Sequence, residues 1–229
     1  MMITFDGWSK YNIWEHSAIV LDLYTKRVRC EVEEMTCSAQ AAQLLSKLAK
    51  VGETVLDVGC GTGYFYHSIL SRQIPIEYHG IDATARFIEI GRSQLSRYGL
   101  NKDRLQVARI EDLAGSVDHV VCMNVLSNLD NFHRPLERML CMASRSVVLR
   151  ESIRNDAEYQ YVVDAYLDEQ QPLRVHVNSY DRKELRRFAD DLGFDMEEIM
   201  DLRTEGKPEQ VIDYPHYWVF MIFRRRTAS

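Results

Sequence analysis

Three glycines within five residues, Gly59, Gly61 and Gly63, are the part of this sequence best suited to chemistry, with Asp57 ahead of them and Cys60 between them. The helical string YFYHSIL follows at once. Glycine reaches positive φ and lets a ligand approach the backbone, and the first turn of the helix behind it offers unpaired N–H groups. The spacing separates possible ligands. A dinucleotide turn reads G-x-G-x-x-G, whereas Tyr64 follows the third glycine here, and no G-K-[ST] string exists for a P-loop. A carboxylate just before the first glycine repels a pyrophosphate but suits a ligand with a cationic amino-acid head. Nineteen residues after Gly63, Ile81 is followed by Asp82, where a carboxylate reaches two ribose hydroxyls in sheets of this kind.

These residues need a frame. Short apolar runs near 53–58, 77–82, 104–109, 118–123 and 146–151 alternate with helical segments near 63–72, 84–98 and 131–143. That rhythm predicts successive βα units and a parallel sheet covered on both faces. Beyond residue 151 it breaks into a polar, aromatic insertion over 154–180 with Tyr159, Tyr161, Tyr166, His176 and Tyr180. A helix over 182–192 capped by Asp181 and the strands FDMEEIM and HYWVFMIFRRR close the chain. Before residue 52 the pattern is helical, with one stripe of Trp14, Ala18 and Leu21 and another of Ala41, Leu44, Leu45 and Leu48, the second helix having Ser38 as its expected N-cap. Trp8, Tyr11 and Trp14 recur at steps of three, as a packed aromatic face or a ligand lid.

Composition narrows the classes. The chain has 229 residues, 46% hydrophobic and 27% charged with only 11 glycines and 5 prolines, which is the profile of one globular unit and not of a repeat or disordered protein. A net charge of −6 gives little basic face for nucleic acid or an anionic membrane, so neither is expected as a partner. Cys30, Cys37, Cys60, Cys122 and Cys141 are odd in number and lack C-x2-C spacing, so free thiols in a reducing compartment are expected. With no basic start and apolar run at the N-terminus and no apolar stretch near the roughly 20 residues of a membrane span, a cytoplasmic location is expected.

VLDVGCGTGYF, HGIDATARFIEIGRSQL, EDL and DHVVCMNVLSNL resemble, in order, the successive motifs of class I S-adenosylmethionine-dependent methyltransferases, over about residues 40–152. The resemblance implies an α/β fold with a Rossmann-like seven-stranded, mostly parallel sheet, its last strand antiparallel and helices on both faces. An N-terminal helical segment and a helical, aromatic cap insertion complete it. The implied boundaries are a flank or lid over 1–50 and a cofactor-binding domain over 51–229, with the cap at about 154–180. For S-adenosyl-L-methionine, the resemblance assigns Asp57, Gly59, Cys60, Gly61 and Gly63 to the methionine part, Asp82 to the ribose and Ala83 to the adenine. Met123 and Asn124, with Leu126, flank the sulfonium, and Tyr11 is the lid residue expected at the cofactor. ARIEDL puts Arg109 where such enzymes usually have an acid. Either Glu111 or Asp112 then substitutes, or the Ile110 backbone holds the adenine.

Methyl transfer from a sulfonium is an in-line displacement, so the protein mainly aligns the acceptor and excludes water. A hydroxyl acceptor is helped by a base, and the candidates are Glu151, His176 and His216, with His133 and Tyr180 beside them. The strand-four sequence MNVLSN lacks the [DN]-P-P-[YFW] loop used on base or glutamine nitrogens, and no acid set suggests a metal. A small-molecule acceptor methylated on O or N is therefore expected. The other readings are a non-catalytic module that binds the cofactor, and a methyltransferase acting on RNA or protein.

Overall fold

The computed structural model describes residues 12–168 and 173–226. A 3-10 turn at Ile13–His16 leads into α1 (Ala18–Val28) and α2 (Thr36–Leu48). The alternating part follows: β1 (Thr54–Val58), α3 (Phe65–Ser71), β2 (Glu77–Asp82), α4 (Ala85–Leu95), β3 (Leu105–Val107), β4 (Val117–Met123), α5 (His133–Met142) and β5 (Ala143–Arg154). The rest comprises β6 (Tyr161–Val163), β7 (Arg174–His176), β8 (Tyr180–Asp181), α6 (Arg182–Asp191), β9 (Phe194–Met200), β10 (Glu209–Val211), β11 (Tyr214–His216) and β12 (Trp218–Arg225).

The main sheet runs β3-β2-β1-β4-β5-β12-β9, with β12 antiparallel to both neighbours and the short β8 beside the far end of β5. Along this path it is the seven-stranded, mostly parallel sheet with an antiparallel last strand that the resemblance implies, and β8 adds an eighth strand. Period-two alternation divides the core between its faces. Val120 and Cys122, Val147 and Leu149, and Met221 and Phe223 pack with Leu136 and Leu140 of α5 and Leu185 of α6. Val121, Val148, Phe220 and Ile222 face the other way, onto Ala41 and Leu45 of α2, Phe65 and Ile69 of α3, and Ile88 of α4. Strands β4 and β5 are buried on both faces, which explains their near-continuous apolar runs.

Two expectations are corrected. Ser38 does not cap α2: the helix begins at Thr36 behind Met35, and Ser38 lies inside its first turn. The insertion is not helical among the described residues. It is an antiparallel hairpin in which Tyr161 faces His176 and Val163 faces Arg174. Its β-branched residues suit a half-buried pleated surface better than a helix. Ile13, Val175 and Val177, with Trp14, Val162, Val211 and Tyr214, form a third apolar cluster away from both faces of the sheet. All five cysteines are free. Among the described residues no helix is long and apolar enough to cross a membrane, and no group of three or more His, Cys, Asp or Glu side chains could hold a metal ion.

Candidate functional site

A cleft of about 670 Å³ opens where β1, β2, β4 and β5 end, walled by Gly59, Asp82, Ala83, Met123, Asn124 and Arg150 and bordered by Trp14, Tyr161, His176 and Trp218. Its size lies within the range of roughly 300–1,000 Å³ common for ligand pockets. At the glycine turn two positions require the residue they have. Gly59 sits at φ +68, where a Cβ would fall 2.3 Å from Val125 Cγ2, and Gly61 at φ +57, where it would fall 2.5 Å from the Tyr24 ring. An L-residue at either would strain the backbone and collide with Val125 or Tyr24.

Asp82 binds its own surroundings through both carboxylate oxygens. Oδ2 accepts from the Gly61 N–H and Oδ1 from the Thr84 N–H, each at 2.8 Å, so one side chain fixes the glycine turn to the end of β2. Burial pushes this carboxyl up, against the pull of those two N–H groups. Asp57 lies beneath the turn, 3% exposed, and accepts from the Tyr78 hydroxyl at 2.7 Å. Burial raises its carboxyl to about 7. Its place is behind the glycines and not on the cleft wall. The Cys60 thiol is likewise buried and pushed up by its surroundings, and Gly63 packs on Leu95 and Leu105.

At the next strand end, Asn124 adopts φ +60, donates its N–H to the Arg150 carbonyl at 2.9 Å and accepts from the Arg150 guanidinium on Oδ1. Arg150 is 2% exposed. It makes a two-pronged pair with Asp201 at 2.8 and 3.1 Å and lies 4.5 Å from the Trp218 ring centre. Burial alone would raise the Asp201 carboxyl, but the guanidinium holds it below its ordinary value. Ile110 is buried off the cleft, and Glu111 pairs at 3.3 Å with Arg109, which lines it. Tyr11, like Trp8, lies outside the described residues.

The candidate bases separate clearly. Glu151 is fully buried, with three backbone N–H groups, of Val125, Leu126 and Ser127, donating to it at 2.7–3.1 Å. It holds the turn after β4 and reaches no cleft surface. His216 is 1% exposed and packs on Trp218, and burial lowers its pKa. Tyr180 donates to the Leu126 carbonyl at 2.5 Å, and His133 stacks on Phe132. Among these described residues His176 alone lines the cleft. It stacks on Tyr161 at 4.5 Å, and burial lowers its pKa, so the imidazole is neutral near pH 7.

Sequence reasoning missed Arg150, Asn12 and Trp218. An arginine inside the apolar run SVVLRE was the one available signal, since a buried charge demands a partner. Asn12 donates to Thr84 Oγ1 at 3.0 Å and Glu15 accepts from the Ala85 N–H at 3.0 Å, which seats the N-terminal segment at the end of β2.

A glycine turn after β1, an acid closing β2 and this strand order define the class I fold of S-adenosylmethionine-dependent methyltransferases. Residues 56–145 match the family model described as a methyltransferase domain. Those residues therefore carry a methyltransferase domain, and the chain is an enzyme with S-adenosylmethionine as its cofactor. Solved structures share the fold. Magnesium protoporphyrin IX methyltransferase from Synechocystis PCC 6803, with bound S-adenosylhomocysteine (SAH), is 16% identical, with 97% of this chain and 94% of that one covered at a TM-score of 0.59. An S-adenosylmethionine-dependent methyltransferase from Clostridium acetobutylicum is 12% identical, covering 90% and 97% at 0.62. A methyltransferase of Haloferax volcanii in complex with the Trm112 activator is 18% identical, covering 91% and 97% at 0.59.

Proposed function

We propose that this enzyme moves a methyl group to an O or N atom of a small molecule held between Asn124 and the aromatic end of the cleft. The observation that carries the reading is one continuous cleft with Gly59, Asp82 and Asn124 at one end and Tyr161, His176 and Trp218 at the other. The chain's residues fit the cofactor: Gly59 lines the cleft with bare backbone, and Asp82 stands on the same wall with a carboxylate. In this reading Asp82 takes the ribose and Ala83 lies against the adenine. The glycine turn receives the methionine part, with Asp57 supporting it from beneath through Tyr78. When bound, S-adenosylmethionine supplies a methyl carbon activated by a sulfonium leaving group.

The remaining work falls to alignment and to one proton. Asn124, fixed by Arg150, stands at the end of β4 where cofactor and acceptor halves meet. His176 is a neutral imidazole that can accept a proton from an acceptor O–H or N–H on its cleft side. Residues 1–50 serve as a flank whose described part roofs the cleft, and the 154–180 insertion supplies the acceptor wall. The test is calorimetry with SAH. Micromolar binding is expected, and Asp82→Ala is expected to weaken it by about tenfold or more, since it removes hydrogen bonds to a charged group. Absence of SAH binding, or unchanged affinity in the variant, overturns the assignment.

A further inference from the structure

The charges on the cleft wall are not those of the chain. The protein carries a net −6, yet among the described residues five arginines and only three carboxylates, Asp82, Asp130 and Glu209, line the cleft. Most of those arginines are already matched. Arg150 is paired with Asp201, Arg203 with Glu209 and Arg109 with Glu111. Arg27 lies over the rings of Tyr24 and Tyr64, at the glycine-turn end. At the opposite end stands Arg174, exposed on β7, with its guanidinium 5.9 Å from the Tyr161 ring centre and 3.3 Å from the Tyr161 carbonyl. Among the described residues no carboxylate pairs with it. A guanidinium on a cleft wall whose remaining donors no described carboxylate takes up is a ready site for a planar anion, because its fork matches a carboxylate bidentately.

The position of Arg174 on the hairpin says more. Arg174 and His176 are two residues apart on one strand, so they project to the same face about 7 Å apart along it. Tyr161, directly across from His176, stacks on it with one ring face and remains half exposed on the rest, which gives that end an aromatic surface. Trp14, packed with Val162 and Val175 of the hairpin, and Trp218 line the same cleft. A ligand that satisfied all of these would be flat, would span about one six-membered ring, and would present an anion at one edge and a protic O or N at the other.

We infer that the acceptor is an aryl carboxylate, whose carboxylate is held by Arg174 and whose ring lies on Tyr161 with its methyl-accepting atom beside His176. The inference rests on the cleft being the methyl-transfer site and names the substrate class for it. Arg174 meets the single charge of a carboxylate; a phosphate monoester would bring a second negative charge toward Asp130, the carboxylate that acts on His176 at the same end of the cleft. Arg174 is thus a specificity residue and takes no part in the displacement.

The test uses the whole chain saturated with SAH and titrates three probes by calorimetry: 4-hydroxybenzoate, 4-hydroxybenzamide and phenyl phosphate. The benzoate is expected to bind at least about tenfold tighter than the isosteric amide, the scale of a charge-assisted pair. In Arg174→Ala the two affinities should converge, and Arg174→Lys should keep part of the preference because the charge remains while the fork is lost. SAH affinity, measured on each variant first, reports whether the cleft still folds. Equal affinity for acid and amide overturns the inference, as does a preference that survives Arg174→Ala, or no binding of the benzoate at millimolar concentration. Tighter binding of phenyl phosphate overturns the carboxylate in favour of a phosphate. Failure of SAH to bind the native chain overturns instead the methyl-transfer reading of the cleft, so the two failures are distinct.

Discussion

Glu151 shows how a side chain of the right type near the right place can have a different task. Its carboxylate receives the N–H groups of Val125, Leu126 and Ser127, so it shapes the turn that carries Asn124. Burial raises this carboxyl from 4.5 to about 7, in opposition to those three donors. The folded protein therefore retains a proton that the unfolded chain releases, and stability falls as pH rises through about 4.5 to 7. In Glu151→Gln one amide N–H₂ must face a backbone N–H, which should cost about 1–3 kcal/mol. The variant should also lose its share of the pH slope, at most about 1.4 kcal/mol per pH unit, while the share from Asp57 remains. Urea unfolding at about pH 5, 6, 7 and 8 checks both; equal slopes in the two proteins would refute the assignment. That Gly59, Asp82 and Asn124 share one cleft was legible because glycines and acids at fixed offsets after strands are seldom required by packing alone. The task of Glu151 was not, because three backbone donors from another strand end leave no trace in its own neighbourhood.

Among the elements, the strands were legible from their apolar runs and α6 from its cap, where Asp181 accepts from the Glu184 N–H. The hairpin of β6 and β7 was not, because three-residue strands of mixed polarity carry too few alternations to reveal a period. The amino ends of the parallel strands hold a further device. His119 on β4 bridges the Glu53 carboxylate, just before β1, and Ser146 Oγ on β5, each at 2.8 Å, while Asp118 receives the Thr54 N–H at 2.9 Å. Ser, His and Glu in a chain resemble a nucleophilic triad. The serine is 2% and the histidine 1% exposed, so no substrate reaches them, and the chain instead ties three strands together. His119→Ala should lower stability by about 1–3 kcal/mol by leaving the buried Ser146 hydroxyl unmatched, while Glu53 keeps the Lys50 N–H and Arg145. Because these residues sit at the sheet end opposite the cleft, SAH affinity should be unchanged. A variant that bound SAH more weakly at full stability would contradict this separation.

At the scale of the molecule, the cleft is closed by segments distant in sequence that hold one another. Ser17 donates to the Tyr166 carbonyl at 2.5 Å, the Ala18 N–H to Asp168 at 2.8 Å and the Asp168 N–H to the His16 carbonyl at 2.9 Å. The same N-terminal segment reaches the other wall through Asn12 and Thr84. A ligand that settles on Asp82 and Ala83 therefore braces the seat of Asn12, and through residues 12–18 it braces the acceptor hairpin. Both segments are short of sheet contacts and belong to the weakly protected part of the fold. Hydrogen exchange should show residues 12–18 and 164–168 slowing together when SAH binds, as one unit. In a Ser17→Ala, Asp168→Pro double variant the N-terminal segment should still slow, through Asn12 and Thr84, but the insertion should no longer follow, because the Ser17 hydroxyl, the Asp168 carboxylate and the Asp168 N–H that link the two are all gone. Independent slowing of the insertion in that variant would mean that the walls respond to the ligand separately, and the cleft would then be two sites side by side without a mechanical link between them.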